Sequence, residues 1–266
     1  MTKIAFFDVD GTMINVPHQL LKPTDKTIHA LKEFQKQGNY IVVASARGVK
    51  PECLDEIPFD GFIGCDGGYI EFHQEVLLNN VFTVRDLNLQ NSVYEATNGQ
   101  YIISERATSY FSDIDGELIK KHLKLYNGTD KLPDDYDDHW RFQNIKANTV
   151  TALFHNAKDL HEALDMLPQE WSINAYDTGH IRMDVHPQGY TKGTACEYLY
   201  QKLNILKENT YAFGDGENDI EMLHLVGTSI AMGNADVEVK KHASTVTLTV
   251  DEDGIADFFE KEFKIK

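Results

Sequence analysis

Four apolar residues near the N-terminus, Ile4-Ala5-Phe6-Phe7, stop abruptly at Asp8-Val9-Asp10-Gly11-Thr12. A short run of β-formers ending in polar turn residues reads as a buried strand whose C-terminal end opens into a loop. In open α/β sheets the crevice beyond the carboxyl ends of the strands is the usual ligand site, and Gly11 lets backbone pass close to whatever binds. Two carboxylates crowded at such a point repel each other. They share a proton, bind a cation, or divide into an ionised nucleophile and a neighbouring acid or base.

The next segments repeat the pattern. Ile28, Leu31 and Phe34 recur at helical spacing between a Thr24 or Asp25 cap and a Gly38 stop. Residues 40–44 form a second buried strand ending in Ser45-Ala46-Arg47-Gly48. Strand, helix, strand is a right-handed βαβ unit, which places Ser45 beside Asp8. A short helix around Glu52 to Glu56 and a strand from Gly61 to Cys65 lead into Asp66-Gly67-Gly68 and an alternating segment from Tyr69 to Leu77.

From about Asn80 the rhythm changes. Helical stretches near Asp86 to Thr97, Glu117 to Tyr126 and Lys158 to Leu167 alternate with strand-like Tyr101 to Ser104, Thr149 to Phe154 and Trp171 to Tyr176. Residues 80–184 therefore read as a separate α+β insertion with its own core, and residues 1–79 with 185–266 as the main domain. The α/β rhythm returns with Arg182 to Val185, then Pro187-Gln188-Gly189-Tyr190-Thr191-Lys192-Gly193 leading into a helix through about Leu203, and a buried strand Thr210 to Phe213 that ends in Gly214-Asp215-Gly216-Glu217-Asn218-Asp219. Acids again follow a strand end. A strand at Thr228 to Met232, a helix from Val237, a strand at Thr245 to Leu248 and a helix from Gly254 to Phe263 complete the chain.

A formal net charge of −17 excludes nucleic acid or an anionic membrane as a bulk partner, since both need clustered Lys and Arg. A small anionic substrate then requires locally concentrated cations. The three cysteines, Cys53, Cys65 and Cys196, are widely spaced without a CxxC, which suggests reduced thiols and neither a disulfide framework nor a thiolate zinc site. The first strand begins too early for a signal peptide and no apolar run reaches membrane-spanning length, so a cytoplasmic protein is expected.

Asp8-Val9-Asp10-Gly11-Thr12, Ser45, Lys192 and Gly214-Asp215-Gly216-Glu217-Asn218-Asp219 stand in the order of the four motifs of the haloacid dehalogenase superfamily, which the chain resembles across its whole core. One helix fills the interval from Asp8 to Ser45, whereas the insertion lies between Ser45 and Lys192. With the Gly-Asp-Gly-x-Asn-Asp form of the last loop, this resembles the Cof-type, subclass IIB sugar phosphatases. The resemblance implies a Rossmann-like three-layer α/β/α core with a mostly parallel sheet and an inserted α+β cap of the C2 type. Two positions depart from the branch: Ser45-Ala46-Arg47 replaces Thr-Gly-Arg, and Asp66-Gly67-Gly68 replaces Asn-Gly-Ala. The first keeps a hydroxyl and a backbone N–H. The second exchanges a neutral amide for a charge.

The resemblance further implies Mg²⁺-dependent hydrolysis of a small phosphorylated metabolite, a sugar phosphate, through an aspartyl-phosphate. Asp8 would be the nucleophile and Asp10 the acid/base, with Lys192 as a point charge. A side-chain oxygen of Asp8, the backbone carbonyl of Asp10 and the carboxylate of Asp215 would hold the metal. Ser45, Asn218, Arg47, Lys192 and the N–H groups of Val9, Asp10 and Ala46 would meet the phosphate; Asp219 and Thr12 would support from behind. Such a donor set makes physical sense, because a phosphate dianion repels nucleophiles until cations and fixed donors surround it. Two alternatives stay open: transfer of the phosphoryl group to a second hydroxyl, as in a mutase, or a non-catalytic metabolite-binding protein on the same scaffold. Dehalogenation has no use for Asp10. EF-hand and dinucleotide readings fail on glycine spacing. Arg47 reads either as a phosphate contact or as a structural ion-pair partner, and His186 as structural. The run Asp134, Asp135, Asp137 and Asp138 reads as a solvated face of the insertion, with Tyr136 and Trp140 in its core. Oligomeric state is not legible.

Overall fold

In the computed structural model, which describes residues 1–127, 130–132 and 139–265, β1 (Ile4–Phe7) is wholly buried and its alternation sets the layers. Ala5 and Phe7 enter one hydrophobic cluster, Ile4 and Phe6 the other. α1 (Asp25–Lys36) starts at Thr24, whose hydroxyl accepts from the Thr27 N–H, and buries Ile28, Leu31 and Phe34. It leads into β2 (Tyr40–Ala44), parallel to β1 with Phe7 opposite Val43. β3 (Gly61–Gly64) adds a further parallel strand; β4 (Tyr69–Phe72) and β5 (Glu75–Asn79) then run antiparallel at that edge.

The alternating segment Tyr69 to Leu77 is thus a hairpin and not a single strand. Its two-residue turn, His73-Gln74, has φ of 48° and 66°. A type I′ turn demands positive φ at both positions and usually shows itself as Asn-Gly, a signature missing here.

The inserted segment comprises α2 (Val84–Ala96), β6 (Gln100–Glu105), β7 (Thr108–Phe111), α3 (Glu117–Asn127), β8 (Thr149–Leu153), α4 (Ala157–Met166), β9 (Ser172–Tyr176) and β10 (Arg182–His186). Its strands form a sheet in the order β7-β6-β8-β10-β9. Tyr101, Ile103, Val150, Ala152, Met183 and Val185 cover one face together with α2 and α4. Ile102 and Leu153 meet α3 on the other. Arg182 to Val185, read from sequence as the return of the main rhythm, is a correction: β10 pairs antiparallel with β8 and β9 inside this second sheet. A strand with one buried face looks the same in either sheet. The acidic run 134–138, with Tyr136, lies outside the described residues.

The chain then gives α5 (Lys192–Lys202), β11 (Thr210–Gly214), α6 (Ile220–Leu225), β12 (Thr228–Ala231), α7 (Val237–Lys241), β13 (Thr245–Val246) and α8 (Gly254–Phe263). The eight-stranded sheet has the order β13-β12-β11-β1-β2-β3-β4-β5. α1 and α8 pack on one face, and α5, α6 and α7 on the other, which makes three layers. Phe7 stacks on Phe213 at 5.0 Å and Phe34 lies 4.9 Å from Phe259. Each buried aromatic contributes about 1.5–3 kcal/mol, so this layer, more than helix propensity, holds α1 and α8 on the sheet. Two compact units result, Met1–Asn79 with Tyr190–Lys266, and Asn80–Gly189.

Candidate active site

β1, β2, β3, β11 and β12 are parallel, so the loops following them share one sheet edge. Asp8 follows β1, tied by its N–H to the Phe213 carbonyl at 3.0 Å. Lys192 is placed by a helix start: Thr191 and Thr194 cap α5 reciprocally, which puts Lys192 at its first position. Its side chain is 1 % exposed. The ammonium donates to Asp8 Oδ1 and to Asp219 Oδ1, both at 2.7 Å. A buried ammonium is unfavourable unless paired and hydrogen-bonded, and these two acids satisfy that condition.

Asp219 is fully buried, and its second oxygen accepts from the N–H groups of Asp215 and Gly216, each at 3.0 Å. Three donors therefore occupy it. Asp215 accepts from the Thr12 hydroxyl at 2.8 Å. Gly11, at φ 91°, is required beside it: a Cβ there would lie 2.0 Å from Asp215 Oδ2. Carboxylate oxygens of Asp8, Asp215 and Asp219 lie within 4.8 Å of one another.

Burial and the charges of Asp219 and Asp215 raise the Asp8 carboxyl well above the ordinary range, against the pull of Lys192. Burial opposes the Lys192 charge, but Asp219 and Asp8 outweigh it and hold the ammonium protonated. Burial lifts Asp215 to about 6, with the Thr12 hydrogen bond resisting. Two neighbouring carboxyls, Asp8 and Asp215, with raised proton affinity mark a site short of positive charge.

The Asp10 carboxylate stands apart from those three. It takes a bidentate fork from Arg47, Nε to Oδ2 at 2.9 Å and Nη2 to Oδ1 at 2.8 Å, with both side chains about half exposed. The ion pair is one of the two readings for Arg47. Ser45 is buried and its hydroxyl accepts from the Arg47 N–H at 3.2 Å; Ala46 between them is exposed. Val9 is buried, and its carbonyl receives the N–H groups of Thr12, Met13 and Ile14, closing the first loop. Asn218 is exposed and donates to Asp66 Oδ1 at 3.3 Å. His186 is buried in the inserted unit beside Thr149, its Nδ1 3.2 Å from the hydroxyl, in keeping with a structural role.

One residue escaped the sequence reading. Asn234 donates to the Gly11 carbonyl at 2.7 Å and accepts from the Val250 N–H at 2.9 Å, bracing the first loop. The signal was present, since Met232-Gly233-Asn234 follows a buried strand just as the other motif loops do.

A family model described as haloacid dehalogenase-like hydrolase matches residues 5–259. "Putative phosphatase YkrA" of Bacillus subtilis (strain 168) is 30% identical over 267 residues, 96% of this chain and 95% of its own. A "Putative phosphatase" of Haemophilus influenzae is 41% identical over 279 residues, 99% of either chain. Among solved structures, the HAD subclass IIB sugar phosphatase BT4131 superposes over all of both chains with a TM-score of 0.79 and 27% identity.

Proposed function

This chain belongs to the haloacid dehalogenase-like hydrolases, and from that premise we propose that it is a Mg²⁺-dependent phosphomonoesterase acting on a small phosphorylated metabolite, a sugar phosphate. It is a phosphatase of that superfamily. The observation that carries the finer reading is Asp8 at the end of β1, held by Lys192 with Asp215 close by.

The donor chemistry fits the metal. Mg²⁺ prefers hard oxygen ligands and keeps waters, so a few carboxylates suffice. Asp219 has three protein donors already, so Asp8 and Asp215 would hold the metal, with the Asp10 backbone carbonyl that the family resemblance adds. When bound, Mg²⁺ supplies positive charge to the phosphoryl oxygens.

The remaining work falls to the chain. Lys192 balances charge beside the reacting carboxylate, and Ser45, Asn218 and the N–H groups of Val9, Asp10 and Ala46 receive the phosphate oxygens. Asp8 attacks phosphorus to give an aspartyl-phosphate as the P–O bond to the alcohol breaks. With its pair to Arg47 opened and a proton taken up from solvent, Asp10 gives that proton to the departing alkoxide, then takes one from the water that cleaves the acyl phosphate. Its ion pair with Arg47 does not forbid this. Both side chains are about half exposed, so water can take over their hydrogen bonds when the pair opens for a substrate. The inserted unit contributes substrate specificity.

Release of p-nitrophenol from its phosphate ester, with Mg²⁺ and with EDTA, tests the reading, with Asp8→Asn as control. The expected result is turnover that needs Mg²⁺ and is abolished by the substitution. Turnover untouched by chelation would remove the metal from the account. A wild-type protein inert toward this ester and a panel of sugar phosphates alike would sink the phosphatase assignment.

A further inference from the structure

The loop after β3 is wound left-handed through three consecutive residues, Cys65, Asp66 and Gly67, at φ 53°, 47° and 100°. Runs of this kind are disfavoured for L-residues and persist where surrounding contacts over-determine them. Several of those contacts lead to the motif loops. The Cys65 N–H donates to the Arg47 carbonyl at 3.0 Å and the Asp66 N–H to the Ser45 carbonyl at 3.2 Å. Gly67 packs against the start of α5 so closely that a Cβ would lie 2.1 Å from the Thr191 carbonyl oxygen. The Asp66 carboxylate accepts from the Asn218 amide. The Cys65–Gly67 loop thus adjoins the second, third and fourth motif loops, and Asp66 itself bonds to the second and the fourth.

We propose that Asp66 is a positioning residue that fixes which end of the Asn218 amide faces the substrate. A side-chain amide has a donor end and an acceptor end, nearly identical in shape. Phosphoryl oxygens are acceptors, so only the donor end of Asn218 binds them. An ionised carboxylate is acceptor-only. It holds the Asn218 nitrogen toward itself with one N–H, leaves the other N–H for the phosphate, and repels the flipped amide oxygen. A neutral amide at position 66 satisfies either orientation and imposes none. Asp is also among the few residues besides Gly that tolerate the left-handed conformation.

The alternative is that Asp66 acts only as one more negative charge near an anion site, and the two predict opposite signs. Removing a bare charge tightens binding of a dianion; removing the orienting acceptor weakens it. Asp66→Asn is the informative substitution, because Asn keeps the size and accepts the left-handed backbone, so folding is preserved. Since this role presupposes the phosphatase reading, two readouts are taken on the full-length protein with Mg²⁺: kinetics on the best ester found, and calorimetric binding of inorganic phosphate.

We expect Asp66→Asn to raise KM and the phosphate Kd about 3–10-fold, with kcat within about twofold and the melting temperature unchanged. In an Asn218→Ala background the same substitution should leave both constants unweakened, the non-additivity of coupled residues. Tighter phosphate binding in Asp66→Asn, or an equal loss with and without Asn218, overturns the proposal. Wild-type turnover with no such coupling leaves the phosphatase reading standing and removes Asp66 from it. Coupled phosphate binding without turnover of any ester does the reverse, and a wild-type protein that neither binds phosphate nor turns over an ester refutes both.

Discussion

Lys192 is the residue whose loss the site should feel most. It joins two buried acids that have few other sources of positive charge, so Lys192→Met leaves Asp8 and Asp219 uncompensated. Breaking a buried pair from one side costs about 3–5 kcal/mol. Urea denaturation at neutral pH should show a loss of that order, and turnover should be abolished; a variant as stable as wild type would mean that the acids are already protonated. Asp215 sets a pH dependence. Its folded value of about 6 lies above the ordinary 3.8, so in metal-free protein its contribution to stability is present below 3.8 and lost as pH rises through about 6. Metal binding needs the ionised form and runs the other way. The rise in melting temperature produced by Mg²⁺ should be large above pH 6, fade as pH falls through it, and be strongly reduced in Asp215→Asn. A Mg²⁺ increment that stays constant from pH 5 to 8 would contradict this.

At the scale of elements, the hairpin between β4 and β5 shows where sequence pattern runs out. Alternation continues across His73-Gln74, and nothing in these side chains announces two residues at positive φ. Asn-Gly is the dipeptide this turn prefers. His73→Asn with Gln74→Gly should therefore raise the melting temperature, by about 0.5–1 kcal/mol in stability. An unchanged or lower value would indicate that the His73 contact with Asp60 and its packing on Phe72 outweigh the turn preference. By contrast, the helices bounded by recognisable caps were legible. Thr24 accepts the N–H three residues on, which begins α1 where its cap requires; the Thr191 cap of α5 does the same and was not read from the sequence.

At the scale of the molecule, the unit Asn80–Gly189 has two hydrophobic clusters of its own. Its ends meet: the Asn80 amide donates to the Gln188 carbonyl at 3.0 Å. A unit with its own core and adjoining termini is the kind that survives excision. Residues 80–189 expressed alone should give a cooperative thermal transition by circular dichroism. A non-cooperative melt would show that the core domain is needed to complete its packing. Cutting at 184, as the hydropathy rhythm suggests, would remove the end of β10 and with it the pairing of Val185 with Val150 and Ile173.

What the sequence determined alone is what short-range patterning encodes. Buried strands declare themselves by composition, glycines and hydroxyls mark the loops beyond them, and the order of those loops identifies the family. Asp8, Ser45, Asp215 and Asp219 were singled out because each stands just past a strand end, whereas Lys192 came from the resemblance to the third family motif. What only the tertiary structure decided depends on which distant side chains meet. That Arg47 meets Asp10, 37 residues away in the chain, was not legible. Asn234 and Asp66 acquire a role only through Gly11 and Asn218, partners brought near by the parallel sheet. The sheet that β10 joins is likewise a choice between two amphipathic partners of equal local merit. Hydrogen-bond partners and sheet membership are properties of long-range packing, and no local periodicity carries them.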